Sequence, residues 1–151
     1  MKLNPLTLFN IESLKPSIEK FFIDNKESYS FFSPHDYSYK GLLKEITSKS
    51  KDYFVFLIEN DNIAGYGLLR GWSDGYDIPS LGIMIDINHQ GKGVATGLMS
   101  HLHHIALLKG AEKIRLRVYK ENFKAISLYN KLGYVLSNYD ADTLVGFLNI
   151  R

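Results

Sequence analysis

The stretch HQGKGVATGLM (89–99) sets Gly91 and Gly93 two positions apart, directly ahead of a run with helical spacing. Glycines in that place let backbone amides come close to an anion, since no Cβ stands in the way. A helix start leaves its first four N–H groups without intrahelical acceptors and carries partial positive charge, and a diphosphate satisfies both. Lys92 adds a charge, Thr96 a hydroxyl donor, and Ala95 is the next smallest choice after glycine. Two familiar phosphate loops do not fit. GxxxxGK[ST] requires Ser or Thr where Val94 stands, and GxGxxG finds its last glycine, Gly97, one residue too late. The plain alternative is a glycine turn that only starts a helix.

A second set of side chains has proton chemistry. Tyr129 is a phenol with an ordinary pKa of about 10, which holds its proton at neutral pH and can still donate to a thiolate. By residue pattern alone it reads better as a core aromatic of an amphipathic helix. His35, beside Asp36, has an ordinary pKa of about 6.5, suited to removing a proton. Asp74 and Asp77 are further candidates for a base, with a bound water or a merely packing histidine as the alternatives. His101 and His104 share a helix face with His103 close by, but no carboxylate or Cys completes a metal set, so a solvated helix face and no metal are expected. Phe31, Phe32, His35, Tyr37, Trp72 and Tyr76 combine aromatic and polar character that suits stacking on a ring, or filling a core beneath a loop.

These residues need elements to hold them. Leu3 to Phe9 alternates loosely, as a short strand does. Leu14, Ile18, Phe21 and Phe22 give helical spacing from Ser13, a candidate N-cap, to about Asn25. SYSFFSPHDYSY (28–39) reads as a loop broken by Pro34, and 39–48 as a second helix. DYFVFLIE (52–59), the turn at Asn60–Asn62, and IAGYGLLRG (63–71) form a hairpin signal. IPSLGIMID (78–86) is the third strand of the meander. A long helix is predicted over 91–109, with Val94, Leu98, Leu102, Ile105 and Ala106 on one face and Gly110 as its terminator. Strand KIRLRVY (113–119), helix NFKAISLYNKL (122–132), strand YVLS (134–137) and strand TLVGFLNI (143–150) complete the order β-α-α-β-β-β-α-β-α-β-β. That order implies one α/β (α+β) domain over 1–151, built on a mixed, mostly antiparallel sheet of six to seven strands with about four helices.

Two motifs then carry a resemblance. Gln90-Gly91-Lys92-Gly93-Val94-Ala95 meets the pattern Q/R-x-x-G-x-G/A. Asn122, Ala125, Leu128, Tyr129, Lys131, Gly133 and Tyr134 meet N-x-x-A-x-x-L-Y-x-K-x-G-[FY] in full. In this order, separated by a helix and a strand, they resemble the GNAT (GCN5-related N-acetyltransferase) superfamily. The resemblance is clear from the meander through Tyr134 and loose over the first fifty residues. It implies acetyl-CoA as cofactor, held by backbone groups of Ile83, Met84 and Ile85, by Gln90 through Thr96, and by Asn122, Ala125 and Tyr129. It implies Tyr129 as general acid toward the departing CoA sulfur, with a strand-four N–H as oxyanion donor. Some members carry a Glu early in the fourth strand; Pro79, Ser80 and Leu81 stand there instead, which leaves the base open between His35, Asp77 and water.

The resemblance places the acceptor among Phe32, His35, Trp72, Tyr76 and Asp77. FFSPHDY followed by GYGLLRGWSDGYDIPSLGI also looks like acetyltransferases of polysaccharide biosynthesis, which implies a nucleotide-linked amino sugar as the small-molecule amine. The alternatives are a protein N-terminal acetyltransferase, and a CoA-sensing or partner-binding module without turnover.

Composition bounds the remaining classes. A net charge of +2 over 151 residues with no dense basic stripe disfavours nucleic acid. Lys113, Arg115 and Arg117 alternate along one strand face, toward solvent or the cofactor's adenine end. No Cys means no disulfide scaffold, thiolate zinc site or thiol nucleophile. It is compatible with a reducing cytosol, and a cytoplasmic location is expected. No stretch of eighteen apolar residues exists, so no membrane partner is expected. Association with a second copy of the chain, as a homodimer, is left open.

Overall fold

The computed structural model describes residues 1–7, 10–30 and 34–151. The strands are β1 (Lys2–Pro5), β2 (Tyr53–Glu59), β3 (Asn62–Arg70), β4 (Ser80–Ile85), β5 (Lys113–Tyr119), β6 (Val135–Asn138) and β7 (Thr143–Asn149). Helices α1 (Lys15–Asp24) and α2 (Tyr39–Ser48) lie between β1 and β2, α3 (Val94–Leu108) between β4 and β5, and α4 (Phe123–Lys131) between β5 and β6. The element order is the one read from the sequence. The seven strands form one sheet in the order β1-β2-β3-β4-β5-β7-β6. All neighbours run antiparallel except β4 and β5.

Alternation along the strands builds a layer on each face. Tyr66 and Leu68 of β3 join Phe54, Phe56 and Met84 beneath Ile18, Phe21 and Phe22 of α1 and Leu42 and Ile46 of α2. Leu69, the next residue, joins Val55, Leu81, Ile114, Leu116 and Val118 beneath Leu98, Met99 and Leu102 of α3 and Tyr129 of α4. Fully burying one such Leu or Phe contributes about 1.5–3 kcal/mol, so the alternation fixes which face each helix covers. A Cβ on Gly67 would meet Leu102 and Leu98 at 3.0 and 3.2 Å; glycine there lets α3 settle onto β3. Asn60 and Asp61 take φ of 50° and 65° in the β2–β3 turn, a twist that matches the strands it joins.

Several boundaries differ from the sequence reading. Ser13 does not cap α1. A 3₁₀ turn over Glu12–Leu14 leads into the helix, Pro16 sits in its first turn, and Ser13 Oγ donates to the Asn10 carbonyl at 2.8 Å. Proline there lacks the N–H that a cap would have served. β1 ends at Pro5, and residues 8 and 9 of the expected strand lie outside the described residues. Lys26–Ser30, expected as loop from Ser28, form a 3₁₀ turn. Ser38 caps α2, its Oγ accepting from Gly41 N at 2.9 Å. Helix α3 starts at Val94 rather than at residue 91, for a reason that belongs to the site.

Candidate active site

β4 and β5 run parallel but touch through a single register pair, Ser80 opposite Arg115, held where Arg115 N donates to the Pro79 carbonyl at 2.9 Å. Beyond that pair the strands part. From Leu81 to Ile85 the β5-facing edge of β4 carries no strand, while its other edge pairs with β3 along its whole length. The gap opens toward the carboxyl ends of both strands, where a parallel sheet presents ligands. Ile83 and Ile85 turn their side chains toward the α3 layer and Met84 toward the α1–α2 layer. The side chains therefore serve the core, and only backbone is left for the gap.

Helix α3 begins at the mouth of that gap. Gly91 and Gly93 take φ of 75° and 78°, a region that costs a residue with a Cβ about 1–2 kcal/mol. That is why the helix cannot begin before Val94. Gly93 is the N-cap and has no side chain to offer the helix. Among the described residues no acceptor meets the amides of Val94, Ala95 and Thr96. Gln90 through Gly93 and Thr96 are exposed. Val94 presents only its amide, since its side chain is buried with Leu57 and Ala64. The result is a row of unpaired N–H groups with the helix dipole behind them.

Tyr129 sits on α4 against the same layer as Leu98 and Leu116. It is 6% exposed, and burial raises its phenol to about 12. No described residue hydrogen-bonds its hydroxyl. Tyr134 lies beside it, ring centroids 5.7 Å apart, but the Tyr134 hydroxyl is engaged with His103 Nε2 at 2.8 Å. Of the two neighbouring phenols, only Tyr129 has a hydroxyl without a partner among the described residues. Asn122 caps α4, its Oδ1 accepting from Ala125 N at 3.3 Å. The Ala125 amide is thus spoken for, and Asn122 has its Nδ2 still to give.

His35 is not free to act as a base in this arrangement. Its Nδ1 lies 2.8 Å from the Asp36 carbonyl, which can only accept, so Nδ1 carries the proton. Nε2 then accepts from the hydroxyl of Tyr66, also at 2.8 Å. Burial lowers the pKa of His35 and keeps the ring neutral. The other expected acceptor residues do not converge on it. Trp72 packs with the α3–α4 layer and under Lys109 Nζ at 5.1 Å, while His35 packs with Phe22 and Tyr37 on the opposite face. Tyr76 and Asp77 are exposed on the β3–β4 turn, and Phe32 lies outside the described residues, as does Phe31. Nor do the α3 histidines form the expected solvated face. His101 Nε2 bonds the Tyr53 hydroxyl at 2.7 Å, His103 bonds Tyr134, and burial lowers both pKa values. Only His104 is exposed. Among the described residues no group of His, Asp or Glu is arranged to hold a metal ion.

The outward row of β5 is better defined than its sequence suggests. Ile114, Leu116 and Val118 face α3 and α4, so Lys113, Arg115 and Arg117 occupy the other face. Arg117 lies over the ring of Tyr139 at 4.1 Å and Arg115 at 5.7 Å. Arg115 Nη1 donates to Ser80 Oγ at 3.3 Å. Arg117 Nη2 reaches Asp140 and Thr143 at 3.2 and 3.1 Å. Two guanidinium groups and one phenol ring therefore flank the point where β4 and β5 part, on the face opposite Tyr129.

A polar network that the sequence reading passed over underlies the loop. Asp86, at the end of β4, accepts from Asn25 Nδ2 at 2.8 Å and from Asn88 N at 3.2 Å. Burial alone would raise its carboxyl, but these bonds and that of His89 outweigh it and hold the pKa below the usual value. The only sequence signal was Asp86 and His89 three residues apart.

The Acetyltransferase (GNAT) family model matches residues 17–134. Over 133 residues the chain is 30% identical to an N-alpha-acetyltransferase of Saccharolobus solfataricus, covering 78% of this chain and 79% of that protein. Over 61 residues it is 43% identical to the uncharacterized N-acetyltransferase YobR of Bacillus subtilis. That match covers 40% of this chain and only 24% of the longer YobR. The crystal structure of PaiA N-acetyltransferase from Thermoplasma acidophilum, in complex with coenzyme A, aligns over 99% of both chains with a TM-score of 0.73. At 19% identity that likeness is one of fold.

Proposed function

This chain belongs to the GNAT acetyltransferase family, and on that footing we propose that it moves the acetyl group of acetyl-CoA to a primary amine of a small molecule, by direct attack in a ternary complex. The observation that carries the reading is the glycine-capped start of α3 beside the unpaired edge of β4. The diphosphate takes the amides of the α3 first turn, assisted by Lys92 and Thr96. The pantetheine arm enters the gap and pairs with backbone of Ile83, Met84 and Ile85, with Asn122 Nδ2 as a further donor.

In the reaction the amine nitrogen attacks the thioester carbonyl carbon. Its oxygen becomes an oxyanion held by a β4 backbone N–H. The C–S bond breaks, the sulfur takes the phenol proton of Tyr129, and the amine proton leaves through water to solvent. Tyr129 regains its proton from solvent. Water fits this role because both nitrogens of His35 are engaged. Asp77, exposed in its turn, remains the side-chain alternative.

α3, α4 and Tyr129 lie on one face of the sheet, so the amine approaches from the other, past Arg115, Arg117 and Tyr139. Guanidinium groups beside an aromatic ring suit a phosphate joined to a flat ring. This supports an amino sugar linked to a nucleotide as the acceptor. A second reading, acetylation of protein N-termini, is supported by the N-alpha-acetyltransferase relative. Release of CoA thiol is the test, measured against nucleotide-linked amino sugars, simple amines and peptides. Turnover only with peptides selects the second reading. Binding of acetyl-CoA without thiol release on any amine reduces the chain to a cofactor-sensing module.

A further inference from the structure

His89 lies one residue before the loop, and both of its ring nitrogens face carboxylates. Nδ1 is 2.8 Å from Asp86 Oδ2 at the end of β4, and Nε2 is 3.0 Å from Glu59 Oε2 at the end of β2. The His89 side chain is 14% exposed and that of Asp86 9%. An ionised carboxylate only accepts hydrogen bonds, so both contacts form together only when the ring carries two protons. A neutral ring has one N–H and must give up one of the two anchors.

The arrangement continues inward. Asn25, the 3%-exposed C-cap of α1, holds the Asp86 carboxylate through Nδ2 and receives Ile87 N on Oδ1, both at 2.8 Å. The 3₁₀ turn Ile87–His89 is thereby tied to α1, β2 and β4 at once, and the next residues of the chain are Gln90 and Gly91. The other charged groups near the clamp are known. Lys20 and Asp24 of α1 line the same cavity of about 240 Å³ as Asp86 and His89, and are paired with each other at 2.6 Å. Lys92 lies on the loop itself and is exposed.

We propose that His89 is a positioning residue for the cofactor loop: as an imidazolium bridging Glu59 and Asp86, it fixes where the amides of residues 91–96 point, and its deprotonation weakens binding of the CoA diphosphate. The inference rests on the acetyl-CoA reading of that loop. Two effects act in the same direction. Losing one anchor frees the turn that leads into Gly91. Losing the ring's charge leaves two carboxylates uncompensated near the site of a dianion, which is less favourable for anion binding.

The test is calorimetric binding of 3′-dephospho-CoA at about pH 6 and at about pH 8.5, on either side of neutrality. This probe keeps the diphosphate but lacks the 3′-phosphate, which would itself titrate in that range. The wild-type affinity is expected to fall about tenfold from the lower pH to the higher, and an equal affinity at both would overturn the proposal. H89Q is expected to bind weakly and without that pH step. H89R, permanently charged, is expected to bind tightly at both ends of the range. E59Q is expected to flatten the step while leaving the fold intact, because Glu59 is 37% exposed. It therefore decides the matter should either His89 variant fail to fold. The proposal is overturned if H89Q or E59Q keeps the full wild-type step, or if H89R titrates as the wild type does. Absence of wild-type binding at every pH would instead remove the acetyl-CoA reading, and this inference with it.

Discussion

Ser80 and Arg115 face each other as the single register pair joining β4 to β5. They close one end of an opening that would otherwise run the length of both strands. The pair has two further consequences. Arg115 Nη1 bonds Ser80 Oγ at 3.3 Å, so the closed end is polar on the side away from Tyr129. The open end then falls beside Gly91 and Gly93, where the chain turns into α3.

The role given to Tyr129 has a specific kinetic signature. Tyr129→Phe removes the hydroxyl but keeps the ring that packs with Tyr134 and Leu98. General-acid contributions run to about a hundredfold or more, so kcat is expected to fall by about that factor with the KM for acetyl-CoA unchanged. Wild-type turnover in that variant would take Tyr129 out of the mechanism.

The arginine pair over Tyr139 should discriminate among acceptors. Removing a charge-assisted hydrogen bond costs roughly 1.5–3 kcal/mol. Arg115→Gln and Arg117→Gln are each expected to raise the KM of a phosphate-bearing amine about tenfold or more. The KM of a neutral amine and that of acetyl-CoA should not move. Equal effects on charged and neutral acceptors would show that the pair only shapes the sheet.

Stability should fall on the acid side because of three histidines. Burial lowers the pKa values of His35, His101 and His103 in the folded chain. The unfolded chain titrates at about 6.5 and binds the extra protons first. Their contribution is full above that value and is lost as the pH drops through the folded values. Denaturant midpoints measured from neutrality downward check this. Tyr66→Phe leaves His35 Nε2 buried without its donor and is expected to cost about 1–3 kcal/mol.

On the alkaline side the sign reverses. Burial raises the phenols of Tyr66, Tyr129 and Tyr134, that of Tyr129 to about 12. Their contribution is intact below the unfolded value of about 10 and is lost as the pH climbs through the folded values. In an ultraviolet titration of phenolate, these three should ionise after the exposed tyrosines, together with unfolding. Early, reversible ionisation of all ten tyrosines would contradict the burial described.

Much of the fold was legible because β5 alternates with a period of two and because Gly110 and Gly133 follow α3 and α4. KIRLRVY and helix 39–48 matched residue for residue, since their apolar positions leave one orientation with the charges outside. The loop was legible from Gly91 and Gly93, whose backbone conformation other residues resist. The acceptor side was not. Trp72 and His35 share an aromatic and polar character, but the sheet separates them, and facing is decided by strand register that spacing within one segment does not reveal. The clamp of Asn25, Glu59, Asp86 and His89 draws on three distant segments, and no local pattern announces it. Ser13 was misread because it lies inside the 3₁₀ turn that leads into α1, with its hydroxyl turned back to the Asn10 carbonyl.

The central claim is that the amides at the start of α3 hold the diphosphate of acetyl-CoA. Its most direct test is a calorimetric titration of the wild type and of Gly93→Val with acetyl-CoA, each first confirmed as folded by thermal melting. The expected result is saturable one-to-one binding by the wild type and its loss in the variant, whose valine resists a φ of 78°. No heat and no thermal shift from the wild type, or undiminished binding by the variant, would contradict it.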